Sequence, residues 1–267
     1  MNNILAAFIF FTRLPFWKIR EVPAECFKHV VPYWSLAGWL TGGVMAGVLW
    51  LTGQILPLSL AWIIAIISRL LITGCLHEDG LADFLDGFGG GTTRERILAI
   101  MKDSHIGSYG VIGLVFYFLL LFQLNNLPLN FLCILVFCGD CWSKFCASQI
   151  INYLPYARKE EDSKAKVIYN RMSWGELLTA FVFGAFPFIG LLPFKMWPAL
   201  LFPLLTIALL YRLMKRRLQG YTGDCCGAAF LLCELSFYIG SLILIYVYAI
   251  YNIDFLMKYS SVPLYMH

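Results

Sequence analysis

Charge is what this 267-residue chain has least of: Lys, Arg, Asp and Glu together make up 13% of it. Hydrophobic residues make up 60%, and the mean hydropathy is +0.73. A soluble domain carries about a quarter charged residues, so the composition excludes one and points to an integral membrane protein. The net charge of +4 is too small to imply a nucleic-acid partner. Cysteine is present but unpaired in number: there are nine, mostly inside apolar runs, which reads as small buried residues in a reducing compartment and excludes a disulfide framework. Cys138 and Cys141 form a C-x-x-C, yet no second Cys or His pair stands at metal spacing, so helix packing is the reading there. The opening MNNILAAFIFFTRLP lacks a basic n-region and a small-residue cleavage site, which argues against a removable signal peptide. It is also short for a span and reads as an interfacial or partly buried helix ending before Pro15. Internal repeats and low-complexity segments are absent, so residues 1–267 read as one membrane-embedded domain.

A span needs about 20 apolar residues. Seven stretches qualify or nearly so: 35–56, 58–76, 108–124, 127–143, 174–193, 197–213 and 227–251. The expected fold is therefore all-α and polytopic, with about seven transmembrane helices. Gly38, Gly42 and Gly43 leave room for a close helix neighbour in the first span. Connections alternate between long and short. The long ones, counted with Arg212, hold 17 of the 20 Lys and Arg residues, and the short ones hold only Lys195. Positive charge marks the cytoplasmic side, so the long connections, including the basic 158–171 segment, should all face the cytoplasm. The tail with Lys258 would end outside.

One long connection carries HEDGLADFLDGFGGG, His77 to Gly91. If Glu78 to Phe88 is helical, a turn of about 100° per residue sets Asp79, Asp83 and Asp86 near 0°, 40° and −20° on one face. Like charges at i,i+4 repel, and the motif contains no Lys or Arg to offset them. A bound divalent cation supplies the missing positive charge. Carboxylate oxygens without His or Cys partners suit Mg²⁺ or Mn²⁺, with diphosphate oxygens completing the shell. Ca²⁺ is disfavoured because the EF-hand spacing is absent. Glu78 points about 100° away from the others and is set aside. Gly80 and Gly87 would let phosphates near the backbone, and Gly89–Gly91 read as a flexible or anion-cradling turn.

Thr92–Gly110 reads as an amphipathic helix closed by Gly107. Arg94, Arg96 and Lys102 are phosphate-binding candidates, with ordinary juxtamembrane anchoring as the plain alternative. Asp103 is a further ligand or a general base. His77 and His105 flank the acidic region, and a structural role is the commoner one for a lone histidine. Asp224, in YTGDCCGAA, opens the last span and could simply cap it. Glu234 lies inside that span, where an unpaired charge is expensive and a functional role is the default expectation. Arg69 in the second span has the opposite sign and could pair with an acid that the sequence does not identify.

Four stretches together, FFTRLPF at 10–16, HEDGLADFLDGFGGG at 77–91, RERILAIMKDSHIGSYG at 94–110 and LQGYTGDCCGAA at 218–229, resemble the cobalamin synthase family, the adenosylcobinamide-GDP ribazoletransferases. They occur in the family's order, and the resemblance covers nearly the whole chain. It implies a Mg²⁺-dependent, multi-pass enzyme of the bacterial inner membrane with its active site toward the cytoplasm. Its substrates would be adenosylcobinamide-GDP and α-ribazole or α-ribazole 5′-phosphate, with GMP released and homo-oligomerisation left open. By the same resemblance, the family's histidine and aspartates carry over onto His77, Asp79, Asp83 and Asp86; Asp79, Asp83 and Asp86 are the expected metal ligands, and the catalytic base is expected at Asp103 or Asp83, with His77 third. Arg13, Arg94, Arg96, Lys102, Thr222, Gly223, Asp224 and Glu234 are substrate-binding. Where the family often has Ser-Arg near the fourth span, this chain has Ser143–Lys144, which would hold a phosphate only as a point charge. The stretch ARKEEDSKAKV also departs from the family pattern, so no role carries over to Arg158.

Two other classes remain as alternatives. A CDP-alcohol phosphatidyltransferase would show D-x-x-D-G-x-x-A-R, which is not found. A cation transporter would spread its acids through several spans, whereas six of the 16 acidic residues lie between Glu78 and Asp103.

Overall fold

The computed structural model describes residues 2–158 and 168–251. Most of the basic 158–171 segment, the Val167 region and Lys258 lie outside the described residues. The described residues form eleven α-helices with short 3₁₀ turns between them, and no strand beyond one isolated bridge between Tyr156 and Tyr221.

Six helical segments are long and apolar enough to cross a membrane, and a bent pair makes up to seven. In chain order the helices are α1 (Asn2–Phe11), α2 (Trp34–Gly53), α3 (Leu58–Thr73), α4 (Leu76–Gly90), α5 (Arg94–Lys102), α6 (Ser108–Phe122), α7 (Leu129–Ser148), α8 (Ile150–Tyr153), α9 (Trp174–Leu191), α10 (Leu201–Arg217) and α11 (Gly223–Ile250). The break expected at NNLP is present, as a 3₁₀ turn Gln123–Asn126 before Pro128. The short α1 buries Ala6, Ala7 and Phe11 against the bundle.

Exposed Leu and Ile side chains line α3, α6, α9 and α10, including Ile63, Ile67, Val115, Leu119, Phe186 and Leu205. Lipid is the solvent that such a surface needs, and helices are the structure that satisfies every backbone group within it. The centre is α7, buried along most of its length, against α2 and α11. The α2–α7 approach depends on the glycines. A Cβ at Gly38 would come within 2.8 Å of Asp140 Oδ1, and one at Gly42 within 2.9 Å of Asp140 Cβ. Gly43 has only an ordinary contact. In α9, Pro187 has no N–H to bond the Phe183 carbonyl, and the Trp39 indole N–H takes that carbonyl at 2.8 Å.

Two sequence expectations are corrected here. The stretch 58–76 is not one straight element: Gly74 (φ 64°) and Cys75 (φ 56°) are both left-handed, and the chain turns by 88° into α4. The Gly74 and Cys75 N–H groups both bond the Leu70 carbonyl, and the Arg13 side chain lies where a Cβ on residue 74 would be. The Thr92–Gly110 stretch is likewise two elements. Thr93 caps α5 through the Arg96 N–H, α5 stops at Lys102, and Gly107 is the residue before α6.

The long connections pack together at one end of the bundle. Arg217 donates to the Phe88 and Gly91 carbonyls at 2.7 and 2.5 Å, so the end of α10 holds the end of α4. His29 Nδ1 meets Glu176 Oε1 at 2.8 Å, and the Asn170 N–H bonds the Lys28 carbonyl at 3.0 Å.

Candidate active site

The first turn of α4 meets the first turn of α11 at glycines. A Cβ on Gly80 would lie 3.1 Å from the Asp224 carbonyl oxygen, and one on Gly227 would lie 3.3 Å from His77 Cα. Gly80 is thus a packing glycine, and that contact brings Asp79 beside Asp224. Thr222 caps α11, its hydroxyl accepting the Cys225 N–H at 3.3 Å. A Cβ on Gly223 would meet open space, so the backbone at the start of this 28-residue helix is approachable.

A third segment completes the site. The Tyr221 N–H bonds the Pro155 carbonyl at 2.9 Å and the Ala157 N–H bonds the Tyr221 carbonyl at 2.8 Å. Arg94 locks the same segment, donating from Nε to Leu218 O at 2.9 Å and from Nη2 to Ala157 O at 2.8 Å. Arg158 is thereby delivered beside α11. Its Nη2 bonds the Leu98 carbonyl at 3.2 Å, and its Nη1 lies 3.9 Å from Asp224 Oδ2. Asp79, Asp224, Arg158, His77 and Gly223 all line one cavity of about 120 Å³, whose remaining wall is apolar and largely aromatic, with Phe10, Phe11, Trp34, Tyr156 and Tyr169.

This geometry sorts the residues singled out by sequence. His77, Asp79, Gly223 and Asp224 come together on the cavity, and Thr222 sets the helix start behind them. Asp83 follows one turn after Asp79 and is half-buried. Asp86 is placed differently. Its carboxylate accepts the Gly107 N–H at 2.7 Å and the Gly110 N–H at 2.9 Å, so it caps the start of α6. Arg94 is a staple between carbonyls. Arg96 lines a separate shallow cleft with Asp86, Asp103 and His105, and Lys102 is exposed at the end of α5. Asp103 is exposed; hydrogen bonds from the His105 ring and backbone hold its carboxyl below the usual carboxylate value. Gly89–Gly91 form no open cradle: a Cβ on Gly89 would strike the Tyr109 ring, and the Gly91 carbonyl is taken by Arg217.

Glu234 does not reach the cavity. It is fully buried and accepts from Arg69 Nη1 at 2.5 Å, Tyr117 at 3.1 Å and Tyr238 at 3.0 Å. Arg69 therefore finds its partner in α11, and Glu234, expected at the substrate, is spent in an internal ion pair. Lys144 is also internal. It bonds Asp140 and the Thr41 hydroxyl and lies 4.7 Å over the Phe230 ring, so it holds no phosphate. Glu78 belongs to the same interior, 3.9 Å from Arg69. Sequence reasoning missed Asp140 and Arg158. For Asp140, a lone acid in an apolar run followed four residues later by Lys144 was the available signal. For Arg158, only its place in a basic segment hinted at a role.

Among the described residues no three His, Cys, Asp or Glu side chains are grouped as a ready metal site. Mg²⁺ does not require one, because it is commonly held by one or two carboxylates plus substrate phosphates. Oxygen-only side chains at Asp79 and Asp224 on the cavity, with Asp83 one turn further along α4, fit that mode.

Residues 3–242 match the family model for cobalamin-5-phosphate synthase. A protein from Shewanella amazonensis named adenosylcobinamide-GDP ribazoletransferase is 39% identical over 252 residues, 91% of this chain and 96% of that one. Proteins of the same name from Leptothrix cholodnii and Shewanella frigidimarina are 37% and 35% identical, covering 86% and 90% of this chain and 91% and 93% of theirs. No solved structure matches.

Proposed function

Because the chain belongs to the cobalamin-5-phosphate synthase family, we propose that it is an adenosylcobinamide-GDP ribazoletransferase working at the α4–α11 cavity. The observation that carries the placement is the meeting of Asp79, Asp224 and Arg158 at the open start of α11, beside an aromatic pocket. A ribose hydroxyl of α-ribazole or its 5′-phosphate attacks the cobinamide-proximal phosphorus of the diphosphate. The new O–P bond forms as the P–O bond to GMP breaks, and GMP leaves with the electron pair. Such a reaction needs charge neutralisation and in-line positioning. Arg158 and the backbone N–H groups at Gly223 supply fixed positive potential for the phosphates. Asp79 and Asp83 would hold Mg²⁺ against the diphosphate, which when bound neutralises phosphate charge. His77 lines the cavity and would take the hydroxyl proton on its imidazole. Asp103 lies on the neighbouring cleft and orders the 103–107 turn through His105.

The site faces the cytoplasm of a bacterial inner membrane on this reading, because the long, basic connections meet at that end. The reading is tested by GMP release from adenosylcobinamide-GDP in purified, lipid-reconstituted protein, with each acceptor and with or without Mg²⁺. Asp79→Asn and Asp83→Asn should each cost about 10²–10³-fold in kcat. Undiminished Mg²⁺-dependent release by both variants would refute the metal assignment.

A further inference from the structure

Two residues that line the cavity carry buried nitrogens without hydrogen-bond partners: Trp34 Nε1 and His77 Nε2. Both residues are nearly inaccessible, at 1% and 2% exposure. Buried indole N–H groups usually find an acceptor, so an unpaired one on a cavity-lining residue points to a ligand that reaches it as it seats. Trp34 can offer little else. Its faces are covered by Phe11, parallel at 5.1 Å, and by His77 at 5.6 Å, so only its edge is available to a ligand. Phe10 and Tyr169 line the same cavity and meet edge to face at 5.9 Å.

Size narrows the occupant further. The volume of about 120 Å³ is near the roughly 150 Å³ of a cavity that takes benzene. That is the scale of one aromatic ring, with the rest of a ring system toward the open mouth, and it is small for a corrinoid macrocycle. The mouth is polar, with Arg158, Asp79 and Asp224. The occupant should therefore be a flat heterocycle with an apolar edge, one ring-nitrogen acceptor and a ribose leading toward phosphate.

Resting on the proposed activity, we infer that this cavity is the slot for the benzimidazole ring of the α-ribazole acceptor, with the Trp34 Nε1–H donating to its unsubstituted ring nitrogen. Guanine matches less well, because it carries polar groups around both rings and the wall has few partners for them. Trp34 is then a binding and specificity residue for the acceptor, and Tyr169 is a further wall residue of the slot.

The test separates KM values for the two substrates in the full-length enzyme. Trp34→Phe keeps an aromatic ring between Phe11 and His77 but loses the N–H. It should raise KM for α-ribazole about five- to tenfold, the worth of one net hydrogen bond, and leave KM for adenosylcobinamide-GDP within about twofold. Tyr169→Leu should shift the same KM and carries the test if Trp34→Phe does not fold. Free 5,6-dimethylbenzimidazole should compete with α-ribazole and not with adenosylcobinamide-GDP, and guanosine should not displace it. A KM rise for adenosylcobinamide-GDP instead, displacement by guanosine, or unchanged KM values in both variants would overturn the slot. Absence of wild-type turnover would instead refute the activity, and equilibrium binding of dimethylbenzimidazole to the wild-type chain would still decide the slot.

Discussion

Removing Arg69 leaves the fully buried Glu234 carboxylate facing only Tyr117 and Tyr238. The pair is completed by a second one, Lys144 with Asp140, 4.0 Å from Arg69. A buried ion pair adds little over a well-packed apolar core, but breaking one costs about 3–5 kcal/mol because a charge is stranded. Arg69→Met should therefore lower the thermal unfolding temperature in detergent markedly, and Arg69→Met with Glu234→Gln should recover much of the loss. A single variant as stable as wild type would disprove the pairing. Arg94 and Arg158 divide at this scale too. Arg94 spends its donors on the Leu218 and Ala157 carbonyls, whereas Arg158 lines the cavity.

At the scale of elements, α4 is placed from three sides. The left-handed pair Gly74–Cys75 turns it from α3, Gly80 lets α11 approach, and Arg217 holds its end. Its Asp86 reaches forward to α6, where the Gly107 and Gly110 amides would otherwise be unpaired. Asp86→Ala should cost about 1–3 kcal/mol by leaving those donors unsatisfied. Asp86→Asn keeps one acceptor oxygen but sets an NH2 against the other amide, so it should recover only part of that loss, and it should keep Mg²⁺-dependent turnover, unlike Asp83→Asn. A stable Asp86→Asn protein without turnover would return Asp86 to the metal site. Gly80→Val is expected to separate α4 from α11 and abolish activity while leaving the helix content intact by circular dichroism.

For the whole molecule, the 88° bend at residues 74–75 and the packing of long connections at one end set the cavity at one end of the bundle. Cys75 is the exposed cysteine at that bend, whereas most of the others are buried. An impermeant maleimide should label it in inside-out vesicles and spare it in right-side-out ones, with Cys75→Ser as the control. Labelling only from the periplasmic side would overturn the orientation.

Much of this architecture was legible in the residues. Apolar runs and the NNLP break follow from what lipid demands of a backbone, a constraint local enough to read along the chain. The helical spacing of Asp79 and Asp83 and the need of Arg69 for an acid are local arguments of the same kind. Partner identity is not local. Asp86 shares a helix face with Asp79 and Asp83, yet Gly107 and Gly110 claim it, and no periodicity within α4 could say so. Glu234 became an ion pair, Arg94 a staple and Arg158 a cavity residue through contacts across 165, 124 and 66 positions of chain. The sequence by itself thus determined the all-α class, the approximate number of spans and the chemistry on offer. Tertiary structure decided which charges are spent inside and which are left for a ligand, because a buried charge must be paired by whatever the packing brings within reach.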